Sequence, residues 1–114
     1  MITLLIALAG STAAVATKPP PDFAICSACH ATQPRAPARI GPSLRGVVNR
    51  KAGAAPGFAY SPAMKKSDVT WNEKSLDAFI SNPQKLIPGS KMPYGGEKDP
   101  ARRAAIIRYL TSLH

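Results

Sequence analysis

Apolar side chains recur at helical spacing in two stretches of the chain. Ile106, Tyr109, Leu110 and Leu113 fall at i, i+3, i+4 and i+7, and Asp99-Pro100 supplies an N-cap followed by proline at the first helical position. Leu76, Phe79 and Ile80 mark a second helix face. Thr70-Trp71-Asn72-Glu73 ahead of it has the form of a capping box, and Asn82-Pro83 stops it. A third helix is expected to start at Pro21, where a missing N–H is harmless, and to run through Phe23, Ile25, Cys26, Cys29 and His30. Ser61-Pro62 caps a single helical turn ending near Lys66. Gln33 to Ala59 and Gln84 to Lys98 are rich in glycine and proline, show little periodicity and read as loops. No run alternates as a strand does and no internal repeat is visible. The pattern predicts an all-α domain of about three main helices, short helical turns and long loops.

Composition sharpens this picture. A chain of 114 residues has room for one domain. Much of its apolar content is alanine, and 12 prolines and 8 glycines commit a large share to loops, so the core is thin for its length. A flat apolar cofactor would supply the missing core volume, and loops as long as these in a small domain are usually functional or wrapped on something. The net charge of +9 favours acidic partners. The bases are dispersed from Lys18 to Arg108, and no basic helix with interleaved aromatics occurs, which argues against nucleic acid. At the N-terminus, MITLLIALAGSTAAVA has an apolar stretch and a small-residue cleavage site, Ala14-Val15-Ala16. It resembles a secretory signal peptide, although no Lys or Arg precedes the apolar run. Cleavage after Ala16 leaves a domain of residues 17–114 in the periplasm; left uncleaved, the segment would be a short anchor.

Cys26-Ser27-Ala28-Cys29-His30 carries the chemistry. C-x-x-C-H is the signature of covalent haem attachment. On a helical turn i, i+3 and i+4 share a face, so two thiols can reach the two vinyl groups at one porphyrin edge while the imidazole reaches the iron. The motif consumes both cysteines of the chain, which counts against a disulfide framework. A thioredoxin-like dithiol would need a βαβ pattern that is not here, and a zinc site would have only His114 as a further histidine.

With further motifs the resemblance becomes specific. Gly41-Pro42-Ser43-Leu44-Arg45-Gly46, Asn49-Arg50-Lys51-Ala52-Gly53, Gly57-Phe58-Ala59-Tyr60-Ser61, Trp71, Asn82-Pro83 and Ile87-Pro88-Gly89-Ser90-Lys91-Met92 follow in order. From about Phe23 to Leu113 the chain resembles the class I cytochromes c of the mitochondrial and bacterial type. The resemblance implies the cytochrome c fold around one haem c, with Cys26 and Cys29 as thioethers and His30 as proximal ligand. It makes Pro42 the acceptor for the other ring N–H of His30, a contact that fixes the tautomer. Met92 is the expected distal ligand, with Met64 as its competitor; His/Met ligation favours reduced iron. Arg50, Tyr60 and Trp71 resemble the family's donors to the haem propionates, and Ser90 replaces the family's threonine near the inner propionate or Met92. Three departures stand out. Phe79 occupies a position where the family often has a tyrosine bonded to the methionine sulfur. Met64 stands where many relatives carry an asparagine linked to buried water. The family's early glycine, where the first and last helices cross, has no counterpart before Phe23, and that crossing is expected to involve Phe23 and Tyr109.

The function implied is outer-sphere electron transfer by a soluble, monomeric monohaem carrier. An iron saturated by His30 and Met92 has no open position and suits a carrier better than an enzyme. By resemblance Arg39, Lys85, Lys91 and Lys98 ring the haem edge and dock acidic faces of redox proteins, such as a quinol–cytochrome c reductase, a terminal oxidase or a periplasmic dehydrogenase. Membrane contact comes only through such partners or an uncleaved signal. Two rivals remain: a haem peroxidase or gas sensor in which Met92 detaches, and a haem-free metal or nucleic-acid binding module. A weak ferric absorption band near ~695 nm, as the resemblance implies, separates methionine ligation from the first. A colourless mature protein would mark the second.

Overall fold

The computed structural model describes residues 18–114, so the expected export segment named above, residues 1–16, lies outside the described residues. Among the described residues the fold is all-α. A 3-10 turn at Pro21–Phe23 leads into α1 (Ala24–Ser27), followed by α2 (Pro62–Lys66), α3 (Glu73–Ser81), α4 (Pro83–Leu86) and α5 (Pro100–Thr111). Among the described residues, extended pairing is confined to one isolated bridge between Lys51 and Thr70.

Both longer helices form where the periodicity places them. In α5, Asp99 caps by accepting from the Ala101 N–H at 2.9 Å, Pro100 sits at the first position, and Ile106, Ile107, Tyr109 and Leu110 are buried. In α3, Leu76, Phe79 and Ile80 are buried. The cap of α3 differs from the expected Thr70–Glu73 box. Asn72 is the N-cap: its Oδ1 accepts from the Ser75 N–H at 2.9 Å, and the Ser75 hydroxyl accepts from the Asn72 N–H at 2.8 Å. The cause is long-range. Trp71 donates its N–H to Arg50 and accepts from Asn49 at the Lys51–Thr70 bridge, which holds residues 70–71 extended and delays the helix.

The first helix is shorter than expected, ending at Ser27 rather than running through His30. The N–H groups of Cys29 and His30 still bond to the Cys26 carbonyl, at 3.1 and 3.0 Å, so the motif keeps its helical turn. Beyond it the Cys29 carbonyl accepts from Gly41 and the Ala31 carbonyl from Leu44. With those acceptors taken by the returning loop, the helix has nowhere to propagate. One short helix was not expected: α4 forms inside the stretch read as irregular, because Asn82, having ended α3, caps again by accepting from the Lys85 N–H with Pro83 at the first position. α2 forms as expected, with the Ser61 hydroxyl accepting from the Met64 N–H at 3.2 Å.

The core gathers Phe23, Val47, Met64, Trp71, Leu76, Phe79, Ile80, Ile106, Tyr109 and Leu110. Phe23 is 1% exposed and meets the Tyr109 ring edge-on at a centroid distance of 4.7 Å, which locks the first turn across α5. α3 packs on α5 and α4, leaving the long loops to close the opposite side.

Candidate functional site

That side holds a cavity of about 540 Å³, within the range of small-molecule and cofactor sites. Its wall brings together Cys26, Cys29, His30, Pro42, Tyr60 and Met92 from segments remote in sequence. The remaining lining is mostly apolar: Ile25 and Ile40 at the mouth, Phe58, Met64, Phe79 and Tyr94 further round.

Each key side chain is fixed by backbone geometry. The Nδ1 of His30 lies 2.7 Å from the Pro42 carbonyl oxygen, and donation there leaves Nε2 as the ring's free lone pair. The imidazole is seated tightly: a Cβ on Gly41 would stand 2.5 Å from its Cε1 and 2.8 Å from its Nδ1. Only glycine allows this approach. Burial, more than the neighbouring Arg50 charge, pushes the His30 pKa below its ordinary value, while the Pro42 bond opposes the shift. A neutral imidazole is the form that ligates metal. Cys26 and Cys29 are half-buried and unpaired, and burial foremost raises the Cys26 thiol.

Met92 arrives on the loop between α4 and α5, which is tied down along its length. Pro88 and Gly89 form a turn closed by Ser90 N–H to Ile87 at 3.1 Å, with Gly89 at a φ of 89° that L side chains rarely adopt. The Lys91 ammonium donates to the Ala59 carbonyl at 3.1 Å, tethering the loop to the opposite lip. Glu97 N–H reaches Ile80 at 2.8 Å, and the Lys98 ammonium reaches the Ser81 carbonyl at 2.6 Å.

Three residues picked from the sequence stand outside the cavity wall. Arg50 turns its guanidinium to the carbonyls of Ser43 and Arg45, at 2.7 and 3.3 Å, and burial, partly offset by Tyr60, pushes its pKa down. Trp71 is buried against Phe79 with ring centroids 4.9 Å apart. Ser90 is buried, its hydroxyl accepting from Gln84. Tyr60 lines the cavity and its Oη accepts from the Ala55 N–H at 3.1 Å, keeping its own proton for a partner. Sequence reasoning missed Ile25, Ile40 and Tyr94. Ile25 and Ile40 are 61% and 70% exposed, and nothing local in the sequence marks an isoleucine that will face water. Tyr94, two residues past Met92, was the one with a usable signal; burial foremost raises its phenol pKa. Of the expected surface ring, Arg39 donates to Ser27 beside the thiols and Lys91 lines the mouth; Lys85 is exposed on α4, and Lys98 is tied to the end of α3.

The donor set fits a haem. An apolar slot of this size, two thiols on one turn at its edge, a neutral imidazole with Nε2 free, and a thioether on an opposing loop match a covalently held porphyrin. Among the described residues, no group of three or more His, Cys, Asp or Glu side chains is arranged to hold a metal ion.

Comparison with known proteins agrees with this geometry. No protein-family model matches the chain. It is 45% identical over 92 residues to cytochrome c2 of Rhodomicrobium vannielii, covering 81% of this chain and 74% of that protein. It is 46% identical over 94 residues to cytochrome c2 iso-2 of Magnetospirillum fulvum, covering 82% and 97%. Among solved structures, cytochrome cH from Methylobacterium extorquens superposes with a TM-score of 0.75 at 42% identity, covering 80% of this chain and 91% of that one. The chain belongs to the class I c-type cytochromes and has their fold. It is thus an electron-transfer protein rather than an enzyme.

Proposed function

We propose that this protein is an exported monohaem carrier in which Cys26 and Cys29 would hold haem c as thioethers while His30 and Met92 would ligate its iron. Bound there, the haem supplies a one-electron iron couple. The protein's residues do the rest. Pro42 fixes the His30 tautomer, Gly41 lets the loop press against the ring, and the tethered 84–98 loop carries Met92. A neutral thioether in a dry pocket favours the reduced state. Arg50, Tyr60, Trp71 and Ser90 serve the propionate side. Tyr60 has a proton to give directly; Arg50 is a charge held in place by backbone carbonyls, whereas Trp71 and Ser90 act from behind the wall. Nothing in the scheme needs a substrate site, which suits outer-sphere transfer through an exposed edge.

The observation that carries this reading is the convergence of a tautomer-locked imidazole and a loop-borne thioether on one apolar cavity edged by two thiols. Reaction partners are acidic faces of redox proteins, of the kind offered by a quinol–cytochrome c reductase, a terminal oxidase or a periplasmic dehydrogenase. Ile25 and Ile40 give the mouth an apolar centre, and Arg39 and Lys91 give it a basic rim. With cleavage after Ala16, residues 17–114 work in the periplasm as a monomer. The test is a visible spectrum taken during redox titration of protein matured in an export-competent host. A reversible one-electron transition with a ferric band near ~695 nm supports the assignment. A spectrum of open, high-spin iron contradicts the Met92 ligation.

A further inference from the structure

The loop that carries Met92 is gripped by one side chain whose three hydrogen bonds none of the family motifs accounts for. Gln84, at the second position of α4, donates from Nε2 to the Ser90 carbonyl at 2.7 Å and to the Ser90 hydroxyl at 3.1 Å. Its Oε1 accepts from the Gly89 N–H at 3.0 Å. An amide of this length can donate and accept at once along the turn; lysine has no acceptor, and glutamate has no donor. The grip bears on residues that need it. Gly89 holds a positive φ, and Ser90 is 7% exposed, so its hydroxyl depends on this partner. The base of the grip is firm as well, since α4 is capped by Asn82 and opens on a buried proline.

We propose that Gln84 is the positioning residue that keeps Met92 in the cavity, by clamping the Gly89-Ser90 turn two residues ahead of it to α4. This rests on the assignment of Met92 as axial ligand. The clamp acts on how often the loop lifts away and exposes the position the thioether fills. Removing it makes lifting easier while leaving His30, the thiols and the core contacts of α3 and α5 in place.

Ferric, haem-loaded protein is compared as wild type, Gln84→Met (equal length, no hydrogen bonds) and Gln84→Glu (acceptor kept, donors lost). Added imidazole competes with Met92 for the iron, and its affinity reads the ease of lifting. Given the net worth of a few neutral hydrogen bonds, Gln84→Met binds imidazole about 10-fold more tightly, with Gln84→Glu between it and wild type. The band near ~695 nm is weakened in the same order. A glutamine of merely structural value would lower the urea midpoint and leave imidazole affinity unchanged, and that result overturns the proposal. Failure of the underlying assignment looks different: the wild type itself would then lack the band, and the proposal would fall with the assignment.

Discussion

At the scale of the residue, Gly41 and His30 hold the tightest constraint in the site. A methyl group at position 41 would overlap the imidazole Cε1 and Nδ1 together, and the backbone on both sides is pinned by the Gly41 N–H to Cys29 and by the Pro42 carbonyl to Nδ1. Gly41→Ala is therefore expected to cost about 1–3 kcal/mol from overpacking and to disturb the proximal bond. Urea unfolding checks the first effect, and a shifted Soret maximum with lowered haem content checks the second. The same burial sets a pH dependence. The folded His30 pKa lies below its unfolded value, chiefly through desolvation, so below about 6.5 the unfolded chain takes up a proton that folded His30 refuses. Stability from this group is intact above about 6.5 and falls as the pH drops. The only other histidine, His114, is exposed, so a decline in the urea midpoint between pH 7 and pH 5 that disappears in His30 variants would trace to this ring. A flat midpoint across that interval contradicts the assignment.

At the scale of the element, the crossing of the first turn over α5 is held by an aromatic pair. Phe23 makes an edge-on contact with Tyr109, whose hydroxyl also reaches Thr32 at 3.4 Å. Phe23→Ala removes a ring that is 1% exposed and is expected to cost about 3–5 kcal/mol in equilibrium unfolding; a loss under 1 kcal/mol would show that the crossing is held elsewhere. The helices that were legible in the sequence are those whose signals are local. α5 declared itself through Asp99-Pro100 and a regular apolar face, and α2 through Ser61-Pro62. What escaped was set by distant partners. The α3 cap moved from Thr70 to Asn72 because residues 49–51 hold Thr70-Trp71 extended, and α1 stopped at Ser27 because Gly41 and Leu44 return to take the carbonyls of Cys29 and Ala31 just beyond it. The site divides in the same way. The thiols and His30 stood out by their C-x-x-C-H spacing and Met92 through the family resemblance of its motif, whereas Ile25 and Ile40 reach the cavity mouth through the path of the loops.

At the scale of the molecule, charge is sorted. Among the described residues the ion pairs gather at one end: Arg102 with Asp22 and Asp99, each at 3.7 Å, and Arg103 with Asp77 at 2.8 Å. Those pairs occupy three of the six carboxylate side chains with α5. Their worth to stability is small where they are exposed. The net charge of +9 is carried in part by Arg39 and Lys91 beside the cavity. Electron transfer to an acidic partner is therefore expected to slow steeply as ionic strength rises from about 0.01 to 0.15 M, as the screening length shrinks from about 30 to 8 Å. Stopped-flow rates that do not vary over this range would remove the basic rim from the account.

The account as a whole depends on a porphyrin joined to the polypeptide through two sulfur atoms. Intact mass of the exported, acid-denatured protein, with thiol alkylation alongside, examines this most directly. The predicted result is a single species with the mass of residues 17–114 plus one haem and no alkylatable thiol. A mass equal to the polypeptide alone, with both cysteines open to the reagent, would contradict it.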